Sequence, residues 1–126
     1  MPLVRIDLRR GKSPAYLKAV RDSIYAAMRE SFNVPENDRF MLVHQHDAEE
    51  FDADPGYLDI ARSDDLVLIQ IACNNTRTVA QKKAFYKSVV DKLVANPGLR
   101  PEDVFINLLE TAKENWSFGH GVMQYA

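Results

Sequence analysis

The chain has 126 residues, 46% of them apolar and 27% charged, with a net charge of −2. That balance suits a soluble globular protein and excludes the basic footprint of nucleic-acid or anionic-membrane binding. The length predicts one domain over residues 1–126, and one cysteine, Cys73, excludes a disulfide framework or a paired-cysteine metal knuckle.

Proline follows the initiator methionine. A small second residue permits methionine removal, so the expected mature chain begins at Pro2 and presents a secondary amine. A free α-amino group titrates at about 7.7–8.0, and burial or a nearby cation lowers the more basic secondary amine. Pro2 is therefore a candidate base, acid or nucleophile; the plainer reading is a proline that starts an edge strand. Arg5, Asp7, Arg9 and Arg10 interrupt any signal-peptide core, and the longest apolar run, Leu66 to Cys73, is too short to span a bilayer. The expectation is a cytoplasmic protein.

Leu3, Val4, Ile6 and Leu8 read as a strand that ends at Arg9-Arg10-Gly11. Ser13-Pro14 supplies a helix cap and a first-turn proline. Leu17, Val20, Ile24, Ala27, Met28 and Ser31 follow at helical spacing. Asn33 is a left-handed cap candidate with Pro35 behind it. Phe40 to Val43 reads as a second strand, which makes a right-handed, parallel βαβ unit.

The second half echoes the first. Leu66 to Ile71 is a strand, and Thr78 with Gln81 forms a capping box that opens a helix. Phe85, Val89 and Leu93 lie 65 residues beyond Val20, Ile24 and Met28, in the same helical phase. Asn96-Pro97-Gly98 stops that helix, and Phe105 to Leu109 is a fourth strand. Ala48–Tyr57 and Ala72–Thr76 read as loops, and residues 111–126 as a tail. The expected fold is α/β: tandem β-α-β units, roughly 2–46 and 66–110, forming a four-stranded mixed sheet with two helices on one face. Strands apolar on both sides require cover for the other face, and another subunit is the natural cover.

Pro2, the stretch Val34 to Phe40, Gln45-His46, Arg77 with Gln81-Lys82, Phe85-Tyr86-Lys87, and Asn115 to Gly119 occur in this order. Together they resemble the tautomerase superfamily, in particular its malonate semialdehyde decarboxylase branch. The resemblance spans essentially the whole chain. It implies a homotrimer with one site per subunit around the terminal proline, and no metal or organic cofactor. It also implies that Pro2 is the catalytic amine, Asp38 its carboxylate partner, and Trp116 and Phe118 an aromatic wall of the pocket. The branch carries two arginines one residue apart before its second helix; here the second is Arg77 and Asn75 replaces the first.

An arginine near a helix N-terminus offers a planar fork of donors for the carboxylate of a small oxo acid. A neutral Pro2 can take a proton α to the carbonyl and return it at the other end of the enol; a cationic Pro2 can polarise the carbonyl. Asp38 favours the cation, whereas Arg77 and desolvation favour the free base. Asp38 also fits a plain turn role. His44 and His46 share a strand face without a third metal ligand at a recognised spacing, and His46 is a candidate for the pocket mouth. The expected activity is keto–enol tautomerisation of a small oxo acid. Decarboxylation of a 3-oxo acid, hydration of an unsaturated acid and a non-catalytic trimeric binding protein are the alternatives.

Overall fold

A computed structural model describes residues 2–125. The chain runs β1 (Leu3–Arg9), α1 (Pro14–Phe32), β2 (Phe40–His46), β3 (Val67–Asn74), α2 (Val79–Ala95) and β4 (Val104–Thr111), with short 3-10 turns in the connections. The helices begin and end where their capping chemistry directs. Ser13 accepts a hydrogen bond from the Tyr16 amide and Pro14 occupies the first turn; Asn33 closes α1 at φ 54°. At α2 the Thr78 hydroxyl accepts from the Gln81 amide at 3.1 Å, and the Gln81 side chain accepts from the Thr78 amide at 2.9 Å.

The sheet order is β2-β1-β3-β4. β1 pairs parallel with β2, β3 parallel with β4, and β1 antiparallel with β3. The two βαβ units thus meet antiparallel at the centre of one sheet. Val4, Ile6 and Leu8 of β1, and Val67, Ile69, Ile71 and Cys73 of β3, form one buried face. Against it pack Val20, Ile24 and Met28 of α1 and Phe85, Val89 and Leu93 of α2, all six fully buried. The shared helical phase of the two halves therefore has a packing cause: both helices dock the same stripe on the same sheet face.

The opposite sheet face has no helix. By register it aligns Phe40, Leu3, Ala72 and Leu109 in one row and Leu42, Arg5, Gln70 and Asn107 in the next. Phe40, Leu42, Phe105 and Leu109 are all between 44% and 51% exposed, an unusual load of large apolar side chains for one sheet face.

Several boundaries differ from expectation: β2 runs on to His46 rather than ending at Val43, and β4 to Thr111 rather than Leu109. β3 continues through Cys73 and Asn74 instead of ending at Ile71, because β4 pairs with it as far as Thr111. The acidic loop is partly ordered: the Glu50 side chain accepts from the Asp47 amide at 2.9 Å, and Phe51 tucks in below, buried under the Arg9 guanidinium. No helix among the described residues is long and apolar enough to cross a membrane.

Candidate active site

The strand register gathers the candidate residues other than His46 at one end of the sheet. Leu3 pairs with Phe40 on one side and with Ala72 on the other. Buried Pro2, immediately before β1, therefore lies beside the approach to β2, which carries Asp38, and the end of β3, which leads to Arg77. β4 ends at the same edge, since Asn74 pairs with Thr111, and so delivers the tail there. A proline suits this place, because the ladder does not need its missing N–H at the strand start.

Asp38 is partly buried, and its amide donates to the Pro35 carbonyl in the turn that enters β2. Burial pushes its carboxyl above the ordinary value of 3.8, while the Arg77 guanidinium pulls the other way. The turn geometry thus leaves the carboxyl of Asp38 at the Pro2 end of the sheet. Arg77 is steered from two sides. Its Nη2 donates to the Phe32 carbonyl at 3.1 Å, at the end of α1, and its guanidinium lies 4.9 Å from the centre of the Phe32 ring. A cation there meets the negative end of the helix dipole. The Phe32 ring stacks in turn on Phe85, with centroids 4.2 Å apart, so the core of the two helices braces the guanidinium.

The tail completes the arrangement. Trp116 stacks on Phe118 at 5.4 Å, and Phe118 meets the Tyr125 ring edge-on at 4.9 Å. Gln124 pins this segment by accepting from the Phe118 amide at 2.9 Å and donating to the Gly119 carbonyl at 3.0 Å. Tyr125 feels both Asp38 and Arg77. Burial first, and then the Asp38 carboxylate, raise its phenol, so the hydroxyl is a donor at neutral pH. Asn75 is exposed in the turn after β3, its amide donating to the Thr111 carbonyl at 3.1 Å. Cys73 is buried, and burial pushes its thiol up from 9.0, which makes it packing rather than a nucleophile.

His46 is placed elsewhere. It pairs with Arg9 at the far end of β1, six residues and roughly 20 Å from the Pro2 end at the usual strand rise. There its Nε2 lies 2.6 Å from the Asp7 carboxylate, while His44 faces Arg5 at 3.4 Å. Within one chain it does not border the Pro2 end, because a strand carries its two ends apart. Two neighbours escaped the sequence reading. Asn74 sits in a stretch read as loop, and Tyr125 lies near the end of a tail without periodicity. The alternation along β3 was the available signal for Asn74; Tyr125 had none.

The arrangement offers a partly buried carboxyl, a braced guanidinium, a phenol donor and an aromatic cover around the start of β1. Two families, each described as tautomerase enzyme, match residues 38–119 and 2–57. The chain belongs to the tautomerase family. Probable tautomerase YusQ of Bacillus subtilis (strain 168) is 42% identical over 98% of both chains. The crystal structure of a malonate semialdehyde decarboxylase, described with decarboxylase and hydratase activities, is 34% identical with a TM-score of 0.92, over 98% of this chain and 95% of that one. This places the tautomerase in the branch that includes that decarboxylase. A fused 4-OT described as a symmetric trimer shares the fold alone, at 20% identity and a TM-score of 0.77 over 95% of this chain and 94% of that one.

Proposed function

We propose that this tautomerase interconverts the keto and enol forms of a small oxo acid, with the amine of Pro2 as general base and then general acid. The observation that carries the reading is the convergence of Pro2, Asp38, Arg77 and the aromatic tail at one end of the sheet. Arg77 receives the substrate carboxylate through its guanidinium fork. The neutral Pro2 nitrogen then removes the proton α to the carbonyl, and the electron pair moves onto the carbonyl oxygen. The Tyr125 hydroxyl stands on the same side as Asp38 and Arg77 and is suited to donate to that oxygen. Return of the proton from the Pro2 ammonium completes the cycle with no net change in protons. Asp38 stabilises the ammonium while it exists, whereas Arg77 and desolvation favour the return to the free base.

Asn75 distinguishes tautomerisation from decarboxylation. Loss of carbon dioxide leaves charge on the carbonyl oxygen while a second cation is needed for the departing carboxylate. Asn75 supplies a neutral amide in that place, and charged hydrogen bonds are roughly twice as strong as neutral ones. A homotrimer accounts for the open sheet face: Leu3, Leu42, Phe40, Phe105 and Leu109 need cover, and two neighbouring copies of the same face supply it. The assay is loss of ultraviolet absorbance of an enolised aryl pyruvate. Catalysis by the parent protein that disappears in Pro2→Ala supports the reading; equal rates in both overturn it.

A further inference from the structure

We infer that Asn74 is a positioning residue that holds the aromatic tail in place over the site; the inference rests on the site reading above. Asn74 belongs to the row Leu68, Gln70 and Ala72 of β3, whose other members are partly or fully exposed, yet only 8% of it is exposed. Its Oδ1 accepts a hydrogen bond from the Trp116 indole N–H at 2.9 Å. Among the described residues this is the one side-chain hydrogen bond that ties the tail beyond Thr111 to the sheet. The bonds of Gln124 and the turns at Ala112, Lys113 and Gly119 are internal to the tail.

The consequence follows from the contacts in sequence. The indole is fixed by Asn74, Phe118 stacks on the indole, and Tyr125 rests on the edge of Phe118. A single carboxamide at the end of β3 thereby sets where the Tyr125 hydroxyl stands relative to Asp38 and Arg77. An indole N–H inside an apolar stack needs an acceptor, and a strand end is a rigid place to supply it. Asn74 touches neither substrate nor Pro2 in this account and acts through Trp116.

Trp116 is the only tryptophan in the chain, so its fluorescence reports the contact directly. The experiment combines acrylamide quenching of Trp116 with steady-state kinetics on an aryl enolpyruvate for Asn74→Ala, Asn74→Asp and both changes in a Trp116→Phe background. Asn74→Ala is expected to increase quenching and to raise KM about threefold to tenfold, the span a neutral hydrogen bond permits, with kcat within about twofold. Asn74→Asp keeps the acceptor and is expected to keep the indole shielded. In the Trp116→Phe background Asn74→Ala should add nothing, because the two residues act as one unit. Unchanged quenching, an unchanged KM, or a KM effect that persists without the indole each overturns the inference. A parent protein without activity sinks the tautomerase reading instead; quenching of Trp116 by the bound oxo acid then replaces KM as the test of Asn74.

Discussion

Removing the Arg77 guanidinium separates its two jobs. On the substrate side, a charge-assisted hydrogen bond contributes about 1.5–3 kcal/mol, which at 1.36 kcal/mol per tenfold is a factor of roughly 10 to 150. On the protein side Arg77→Ala loses the bond to the Phe32 carbonyl and the contact with its ring. Those are worth about 0.5–1.5 and 0.5–1 kcal/mol, enough to lower Tm by several degrees without unfolding a domain of this size. The expected result is a rise in KM of one to two orders of magnitude for an aryl enolpyruvate, with a folded protein at 25 °C. Arg77→Lys keeps the charge but not the planar fork, so its KM should fall between the two. Kinetics measured beside thermal unfolding distinguish the roles. A KM for Arg77→Ala within twofold of the parent, with the same lowered Tm, would refute carboxylate anchoring and leave Arg77 a brace for Phe32.

Three further outcomes are expected. Burial raises the Asp38 carboxyl in the folded state, so its contribution to stability is full below the unfolded pKa and is lost as pH rises through the raised folded value. Asp38→Asn should therefore raise Tm at pH 7, with the gain shrinking as pH falls towards 3.8, while turnover drops; a Tm gain independent of pH contradicts this. Asn75→Arg should raise malonate semialdehyde decarboxylation by about tenfold to a thousandfold, the yield of a few kcal/mol of transition-state stabilisation; efficient decarboxylation by the parent protein would show that Asn75 is no handicap. Covering the open sheet face calls for an interface above about 2,000 Å², so sedimentation should find three chains per particle at micromolar concentration, and a stable monomer would count against it.

Local chemistry made most of the fold legible. Ser13-Pro14, Asn33, and Thr78 with Gln81 each satisfy exposed backbone groups at a helix end, and such needs are written in a few adjacent residues. The shared phase of Val20, Ile24 and Met28 with Phe85, Val89 and Leu93 announced a common docking face. The end of β3 was hidden because Asn74 and Asn75 both look like turn residues; pairing with β4 keeps Asn74 extended, and the turn begins only at Asn75. Asp38 and Arg77 were singled out through resemblance, and the register brings both to one end of the sheet. His46 falls at the far end of β1 within one chain, because the parallel register pairs it with Arg9 and not with Leu3. Tyr125 required the fold of the tail, where two side-chain bonds from Gln124 determine what no periodicity could signal.

The central claim is that the free amine of Pro2 does the proton transfer. Intact-mass measurement identifies preparations that begin at Pro2 and preparations that retain Met1, and the same enolpyruvate assay is run on both. A retained methionine converts the Pro2 nitrogen into an amide without basicity. The account predicts full activity in the form that begins at Pro2 and nearly none in the form that retains Met1; equal activity in the two would contradict it.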